Sequence, residues 1–395
     1  MQLRRLLPRL ARGASVAVLG GSTAAAWGEV SRADGGRSRV GSVPSLDAFD
    51  PDENESYKEQ FQSAYDAAAM NTVARRSSRE GSDSIAGEEG SAEKRIFVRR
   101  GIARHLMSKL GYSDDELLML GDDVLRMQGV SSPFRAAALQ QGESVLDLGS
   151  GFGVDCFLAC KKVGEAGSVV GLDISGEEVS AASDRAIQRG LASRCRFVKG
   201  DMEQLPFADQ SFDVVLSNGG FCLCPDKRAA FSEIFRALRP GGRIAIACTV
   251  LRAPLPSLDG RQTQQEGQQN EAQRWPPCME VFMLQSTVKP LLSSLGYHTV
   301  SVDDSNSRMD VWDMTERDVA TVGGVLGDQG SGADACSHAR RAAARRAGEA
   351  VSSYLSQERE AGIHTGSAEF EFTTDGTFDM NELCARVVIT AQKPL

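Results

Sequence analysis

An aspartate followed by three closely spaced glycines is the part of this sequence that most clearly indicates chemistry. Asp147 lies in the apolar run of residues 145–148, which stops at the turn GSGFG of residues 149–153. Glycines let the backbone turn tightly and come close to a ligand, because they have no Cβ atom to clash. Asp173 lies twenty residues past Gly153, at the end of the apolar run GSVVGLD, and an acid at that spacing suits the hydroxyls of a ribose. Strand, glycine turn, helix and spaced acid together predict a nucleoside-binding site.

Two further strand ends are expected to complete this site. Asp201 and Met202 follow the third apolar run, where a carboxylate and an exposed backbone amide suit the edge of an adenine. Ser217 and Asn218 end the fourth run, FDVVLSN. Ligands of parallel sheets lie outside the carboxyl ends of the strands, where the chain order switches direction. Each acid also has a structural interpretation, since Asp147 can cap a turn and Asp201 can cap a helix.

A parallel sheet must bring these residues together, and the sequence from Glu143 onward alternates strands with helices. Strands are predicted at residues 144–149, 168–174, 195–201, 212–218, 242–250, 297–304 and 382–393, and helices at residues 154–163, 177–190, 226–238 and 284–295. The turn RPGG of residues 239–242 is expected to end a helix and lead the chain into the fifth strand. This order predicts an α/β fold with a doubly wound, mostly parallel sheet of seven strands.

The predicted organisation has five parts. Residues 1–50 form a leader and disordered segment, and residues 51–142 a helical cover with a polar linker at residues 77–93. Within the cover, helices are expected at residues 55–70 and 95–110, and Ser113 with Glu116 has the spacing of a capping box. Residues 143–312 form the core, with an insertion at residues 255–274. Residues 313–367 are a low-complexity insertion with a solvated basic helix, and residues 368–395 return to complete the sheet.

Composition limits the classes of function. The net charge of -9 argues against a general nucleic-acid binder, which would show a basic face. Nine cysteines, an odd number, do not suggest a disulfide framework. No run of 18 apolar residues occurs, so no transmembrane segment is expected. A small-molecule ligand is the expected partner.

The N-terminal segment has the composition of a targeting sequence. It contains Arg4, Arg5, Arg9 and Arg12 and no acid before Glu29. An arginine-rich, acid-poor leader is typical of import into mitochondria or another organelle. A secretory signal built on residues 14–19 and an untargeted leader, which would leave the protein in the cytoplasm, are the alternatives.

Four motifs in order resemble those of class I S-adenosylmethionine-dependent methyltransferases. They are VLDLGSGFG, GLDIS, GDMEQLPFADQSFD and ALRPGGRIAI, and they extend over about residues 143–250. The resemblance implies a Rossmann-like methyltransferase fold with S-adenosylmethionine as cofactor. The turn D-x-G-S-G-x-G also differs from the G-x-G-x-x-G turn of nicotinamide sites, so a nicotinamide oxidoreductase is the weaker interpretation.

The resemblance assigns a role to each motif residue. The glycine turn would hold the methionine part of the cofactor, Asp173 the ribose, and Asp201 with Met202 the adenine. The predicted cofactor-binding residues are Asp147, Gly149, Ser150, Gly151, Gly153, Asp173, Ile174, Asp201, Met202 and Ser217.

Within this class the sequence most resembles arsenite methyltransferases. GYSDDELLML, VLDLGSGFGVDCFLACKKVGEAGSVVGLDIS and LSNGGFCLCPDKRAAFSEIFRALRPGG carry the likeness. That family needs cysteine thiolates, because trivalent arsenic is soft and binds sulfur. Only Cys278 stands at a family cysteine position, whereas the loop of residues 127–133 has no cysteine and Gly219 replaces another. Cys222 and Cys224 are near the same crevice and either substitute for these thiols or pack in the core. The catalytic candidates are Cys278, Cys222, Cys224 and Asn218.

The acceptor and even the activity have alternatives. LPFADQSFD also resembles quinone-biosynthetic and sterol methyltransferases, which methylate carbon or oxygen of a small organic molecule. The mechanism would be in-line displacement at the sulfonium methyl, for which a general base is optional. A protein that binds S-adenosylmethionine as a non-catalytic scaffold is the alternative from another class.

Overall fold

The structure, a computed structural model, describes residues 51–80, 89–256, 275, 277–312, 314–331, 337–360, 370–372 and 376–395. The predicted leader of residues 1–50 lies outside the described residues. So does most of the insertion predicted at residues 255–274.

Nine strands are described, and seven of them lie close to predicted positions. The nine strands are β1 (Ser144–Leu148), β2 (Ser168–Asp173), β3 (Cys195–Lys199), β4 (Phe212–Asn218), β5 (Leu238–Leu251), β6 (His298–Asp303), β7 (Phe370–Phe372), β8 (Gly376–Phe378) and β9 (Cys384–Gln392). Seven of them form one sheet in the order β3-β2-β1-β4-β5-β9-β6. Strands β1 to β5 pair in parallel, and β9 runs antiparallel between β5 and β6. The predicted α/β fold with a mostly parallel seven-stranded sheet is confirmed, while β7 and β8 form a separate two-stranded sheet.

The structure describes the helices α1 (Pro51–Glu80), α2 (Glu89–Lys109), α3 (Asp114–Leu120), α4 (Phe134–Ala137), α5 (Val154–Val163), α6 (Gly176–Gln188), α7 (Lys227–Ala237), α8 (Pro277–Glu280), α9 (Gln285–Ser294), α10 (Glu316–Ser331), α11 (Ser337–Glu360) and α12 (Met380–Leu383). Of these, α4, α8, α10 and α12 were not predicted, and α1 and α2 are longer than predicted. The polar linker predicted at residues 77–93 is helical where it is described. The capping box at α3 is present, because Ser113 accepts from the amide of Glu116 and the Glu116 carboxylate accepts from the amide of Ser113. The two bonds satisfy amides that have no partner within the helix.

Alternation along β1 divides the core into two layers. Val145 packs in a cluster that contains Val154 and Phe157 of α5, whereas Leu146 and Leu148 pack in a second cluster with Phe231 of α7. Successive side chains of a strand point to opposite faces, and a sheet covered on both faces needs apolar residues on both. The uninterrupted apolar run of β1 is therefore explained by helices on either side.

The RPGG tetrad has a different structure from the one predicted. Phe212 pairs with Leu238 and Val214 pairs with Arg243, so residues 239–242 bulge out of β5. Gly241 takes the positive φ of 78° that this bulge requires. The tetrad thus lies within a strand and is not a separate turn between helix and strand.

The insertion predicted at residues 313–367 is more ordered in the described part than its composition suggested. Helices α10 and α11 pack against each other and against α2. Val322 and Leu326 of α10 and Val351 and Leu355 of α11 are buried. The prediction of a solvated basic helix is therefore wrong for the face of α11 that carries Val351 and Leu355, because these apolar residues are buried.

Among the described residues, no helix combines the length and the apolar character needed to cross a bilayer.

Candidate active site

A pocket lies at the carboxyl ends of β1 to β4, where the strand order reverses between β1 and β4. This is the position expected for the ligand of a doubly wound sheet. The sequence-predicted residues that line it are Asp147, Gly149, Ser150, Gly151, Asp173, Ile174, Asp201, Met202, Asn218 and Cys224. The predicted residues Gly153, Ser217, Cys222 and Cys278 are not among the described lining residues.

The glycine turn is held by backbone hydrogen bonds to the neighbouring strand. The amides of Gly149 and Ser150 both donate to the carbonyl of Leu172, at 2.8 and 3.1 Å. Gly149 has φ of 67°, and a Cβ atom there would lie 2.8 Å from Cα of Gly220. Glycine is therefore required at residue 149 by conformation and by close backbone packing.

Gly153 has a structural role and does not line the pocket. It is the N-cap of α5 with φ of 79°, and an added Cβ would lie 2.6 Å from Cζ of Phe197. The third glycine of the motif thus permits close packing between helix α5 and strand β3. Its contact with the cofactor stays a prediction.

Asp173 ties the end of β2 to the glycine turn. Its Oδ2 atom accepts from the amide of Gly151 at 2.8 Å, and Oδ1 accepts from the amide of Ser175 at 2.9 Å. Burial raises the pKa of Asp173, although hydrogen bonds from the backbone amides oppose this change. The carboxylate is thereby fixed at the wall of the pocket.

Asp147 and Asp155 form a buried pair of acids beneath the turn. Asp147 accepts from the thiol of Cys156 at 3.1 Å, and Asp155 accepts from the hydroxyl of Tyr112 at 2.7 Å. Burial, followed by the charge of Asp155, raises the pKa of Asp147 to about 8. Burial also raises the pKa of Asp155 to about 6, against hydrogen bonds from Asn218 and Tyr112. Sequence reasoning missed Asp155, although its place in the first turn of the helix after the glycine turn was a usable signal.

All hydrogen-bonding capacity of the Asn218 side chain is used by the protein. Oδ1 accepts from the amides of Val130 and Ser131 at 2.7 and 3.2 Å. Nδ2 donates to the Tyr112 hydroxyl and to Asp155, at 2.9 Å each. Asn218 therefore fastens the cysteine-free loop of residues 127–133 to the end of β4, and its predicted catalytic role has no free polar atom to support it.

Ser217 is also occupied within the fold. It is fully buried, donates from Oγ to the carbonyl of Leu148 at 2.7 Å and accepts from the amide of Phe221 at 3.2 Å. These bonds connect β4 with β1 behind the pocket. The contact of Ser217 with the cofactor stays a prediction.

Helix α1 closes the pocket from the side opposite the sheet. Lys58 lies 2.6 Å from both Asp201 and Glu203, and Asn54 donates to Glu203 at 2.8 Å. Asp201 also accepts from the amide of Glu203 at 2.8 Å. It therefore caps a short turn, which is similar to the helix-capping role given as its structural alternative. Phe61 of α1 lines the pocket beside these ion pairs. Sequence reasoning placed a helical cover here but identified none of its contacts.

Two further hydrogen bonds dock α1 onto the core. Asp66 accepts from the hydroxyl of Ser175 at 2.6 Å, next to Asp173. Tyr57 donates to Glu280 at 2.6 Å, in the segment that contains Cys278. Helix α1 thus contacts both the predicted ribose side and the cysteine side of the pocket.

Two polar atoms of the pocket residues have no hydrogen-bond partner although they are buried. They are Oγ of Ser150 and Oε1 of Glu178. Unsatisfied buried polar atoms are uncommon in folded proteins and each needs an explanation. A ligand with hydroxyl and amino groups, such as a nucleoside cofactor, offers the missing partners, so the lining residues fit the cofactor that the motifs imply.

The three candidate thiols, those of Cys222, Cys224 and Cys278, are buried, and burial favours their protonated form. Cys222 donates to the carbonyl of Gly219 at 2.9 Å, and Cys224 lies 3.3 Å from a carboxylate oxygen of Glu203. Burial raises the pKa of all three, including Cys278. Cys156 and Cys160 are buried core residues. Among the described residues, no group of three or more His, Cys, Asp or Glu side chains is arranged to hold a metal ion.

Gly219 stands where a thiol was expected and is packed against the cysteine-free loop. Its φ is 83°, and an added Cβ would lie 3.1 Å from the carbonyl oxygen of Gln128 and 3.6 Å from Cα of Gly129. The loop therefore occupies the space that a side chain at residue 219 would need. His105 and His298 are not among the described residues that line the pocket, and His105 pairs with Asp318 at 2.7 Å.

The chain is similar to known methyltransferases over part of its length. The profile of the methyltransferase-domain family matches residues 139–296. An arsenite methyltransferase of Halobacterium salinarum is 35% identical over 214 residues, which cover 53% of this chain and 52% of that protein. A ubiquinone/menaquinone biosynthesis C-methyltransferase of Xylella fastidiosa is 39% identical over 110 residues, 28% of this chain and 44% of that protein. The chain thus spans about half the length of these curated relatives.

A solved structure of similar kind was also found. The arsenic(III) S-adenosylmethionine methyltransferase of Chlamydomonas reinhardtii is 25% identical, with a TM-score of 0.36 over 50% of this chain and 65% of that chain. Residues 139–296 match the methyltransferase-domain family, and the chain is similar to an arsenite methyltransferase and to a quinone-biosynthetic C-methyltransferase over about half the length of each.

Proposed function

We propose that this chain transfers the methyl group of S-adenosylmethionine to a carbon or oxygen atom of a small organic acceptor, and that arsenite is a poor acceptor. The observation that carries the proposal is Gly219, which lacks a thiol and packs against the loop of residues 127–133. Cys278 is the one thiol at a family position, and it is buried with a raised pKa. Arsenic binding needs deprotonated thiolates that converge, and this arrangement does not favour them.

The donor side of the pocket supports binding of S-adenosylmethionine. Asp173 is fixed by the amides of Gly151 and Ser175, and the unpaired atoms of Ser150 and Glu178 lie in the same wall. Bound there, the cofactor would supply an electrophilic methyl group. The contribution of the protein is to hold the two reactants in line and to exclude water.

The part of the pocket next to Gly219 has the character of a site for an organic molecule. The loop and the residues that follow Gly219 contribute Met127, Leu223 and Pro225 to the lining, and α1 contributes Phe61 and Tyr65. Apolar and aromatic side chains with few polar groups are typical of small-molecule sites. Burial raises the pKa of Tyr65 well above its ordinary value, so its hydroxyl stays a hydrogen-bond donor at neutral pH.

The acceptor class can be tested with radiolabelled S-adenosylmethionine. Purified protein is incubated with arsenite and glutathione in one reaction and with a prenylated hydroquinone in another, and the labelled products are separated. We expect label in the hydroquinone product and little label in methylated arsenic. Rapid arsenite methylation that is lost in Cys278→Ser and kept in Cys160→Ser, a matched buried thiol in α5, would contradict the proposed acceptor class.

Calorimetry, combined with the transfer assay, distinguishes an enzyme from a non-catalytic scaffold. Calorimetric binding of S-adenosylmethionine with no transfer to any acceptor would favour the non-catalytic alternative. No binding at millimolar cofactor would contradict the proposed function altogether.

Import into mitochondria remains part of the proposal and rests on the arginines of residues 1–12. A fusion of residues 1–50 to a fluorescent protein tests it. We expect fluorescence in mitochondria, and loss of that location when the four arginines are changed to glutamine (Arg4, Arg5, Arg9 and Arg12). A diffuse signal from the fusion with the natural sequence would contradict import.

A further inference from the structure

Four buried carboxylates surround the glycine turn. Asp147, Asp155, Asp173 and Glu178 all line the pocket, and their exposed fractions are 2%, 7%, 7% and 1%. Their hydrogen-bond partners are neutral: a thiol, a phenol, amides and the side chain of Gln128. In the described part of the chain, none of the four forms an ion pair with lysine, arginine or histidine. An uncompensated buried carboxylate is costly, so such a wall favours a bound cation or bound protons.

Glu178 gives the second, independent indication of a ligand. Its amide caps helix α6 through Ser175 at 3.2 Å, which fixes the residue in the first helical turn. Its Oε2 atom lies 3.6 Å from the position of a Cβ at Gly151, and its Oε1 atom is buried without a partner. The side chain therefore lies against the glycine turn with one oxygen still available.

The charged groups around Glu178 do not neutralise it. Asp173 on β2 and Asp66 on α1 raise its pKa further, after burial, while Gln128 of the loop opposes them. Tyr65 of α1 is the other titratable neighbour. Lys58 and Arg126, the two cationic residues of the pocket wall, are directed to other acids: Lys58 to Asp201 and Glu203, and Arg126 to Asp123.

We propose that Glu178 contacts the methyl donor and that, together with Asp147, Asp155 and Asp173, it recognises the donor's positive charge and so distinguishes S-adenosylmethionine from the product S-adenosylhomocysteine. This inference rests on the proposed function. In the transfer, the bond from sulfur to methyl breaks and its electron pair stays on sulfur, while the acceptor's electron pair forms the new bond to carbon. The sulfonium cation becomes a neutral thioether, so the anionic wall loses its partner.

The loss of the ligand's positive charge changes the number of protons that the four carboxylates bind. With the cationic donor bound, the carboxylates are stabilised in their ionised form, and protons held by the empty site are released. With the neutral product bound, the protons return and the attraction to the ligand falls. The affinity for S-adenosylmethionine is therefore expected to rise with pH more steeply than the affinity for S-adenosylhomocysteine.

Isothermal titration calorimetry with the two ligands tests the proposal without any acceptor. Binding is measured at pH 6, 7, 8 and 9, in buffers of different ionisation enthalpy, so that the number of released protons is obtained. The variant is Glu178→Gln, which keeps the size of the side chain, and the control is Glu177→Gln, an exposed residue on the same turn.

At pH 8 to 9 we expect Glu178→Gln to weaken the binding of S-adenosylmethionine about tenfold and the binding of S-adenosylhomocysteine no more than about twofold. Fewer protons should be released when S-adenosylmethionine binds to this variant. Glu177→Gln should match the wild type. Equal weakening of both ligands, or no change in either, would overturn the proposal. Failure of wild-type protein to bind either ligand would instead refute the proposed function, and thermal unfolding of each variant excludes loss of structure as the cause.

Discussion

The Nζ atom of Lys58 lies 2.6 Å from Oδ2 of Asp201 and 2.6 Å from Oε2 of Glu203. Burial lowers the pKa of Lys58, but the hydrogen bonds to these two carboxylates outweigh it and raise the pKa overall. This contact joins the covering helix to the strand end that is predicted to read adenine. We therefore expect the docking of α1 through Lys58 to affect how tightly the pocket holds its ligand.

Removal of this contact should loosen the cover. In Lys58→Met, we expect S-adenosylmethionine to dissociate roughly fivefold faster, because a partly buried ion pair contributes about 1 kcal/mol to holding α1 in place. Stopped-flow displacement of the cofactor measures the rate. Glu59→Gln, an exposed neighbour on α1, is the control. An unchanged rate in Lys58→Met would show that the apolar contacts of α1 suffice.

These ion pairs illustrate which features the sequence could predict. The glycine turn and Asp173 were recognised because their signal is local: residue types at fixed short spacing after an apolar run. Lys58 lies 143 residues from Asp201 in the chain, and no local pattern connects the two. The same applies to Glu178, because its unpaired oxygen exists only once α6 is packed against the turn.

Cys278 shows a different limit of prediction from sequence, in which a residue matches a family pattern but its environment is not known. The type and position of Cys278 matched a family pattern, but pattern alone gave no information about its environment. Its burial is a consequence of packing among Cys222, Cys384 and the apolar residues of one core layer. Free cysteine behaves as a small apolar residue in such a setting, so a sequence match did not establish a reactive site.

The four hydrogen bonds of Asn218 predict a large effect on stability. In Asn218→Ala, the amides of Val130 and Ser131 and the polar atoms of Tyr112 and Asp155 lose their shared partner inside the protein. We expect the free energy of unfolding to fall by about 3 kcal/mol, measured by urea denaturation. Gln204→Ala, at an exposed position, should change it by less than about 0.5 kcal/mol. A similarly small change for Asn218→Ala would show that water replaces its bonds.

Stability of the cofactor-free protein should fall as the pH rises through the range set by Asp147. The pKa of Asp147 is about 8 in the folded protein and has its ordinary value of 3.8 when unfolded. The folded state therefore binds more protons between these values, and this contribution to stability is lost as the pH rises toward 8.

The comparison of wild type with Asp147→Asn isolates this contribution from those of other acids. We expect the difference in Tm, variant minus wild type, to increase between pH 5 and pH 8 in differential scanning calorimetry. A difference that is constant with pH would contradict the raised pKa of Asp147.

Restoring a thiol at residue 219 should not restore an arsenic site. In Gly219→Cys, the new Cβ meets the carbonyl of Gln128 at 3.1 Å and the backbone keeps a φ of 83° that favours glycine. We expect a loss of about 1–3 kcal/mol in the free energy of unfolding and no gain in arsenite methylation. The measurements are urea denaturation and transfer of labelled methyl to arsenite. Gly190→Cys, also at positive φ but with no atom within 4 Å of an added Cβ, separates backbone strain from the clash with the loop. If Gly219→Cys methylated arsenite rapidly while remaining stable, the loop of residues 127–133 would have to move easily, and Asn218 would not fasten it as its bonds indicate.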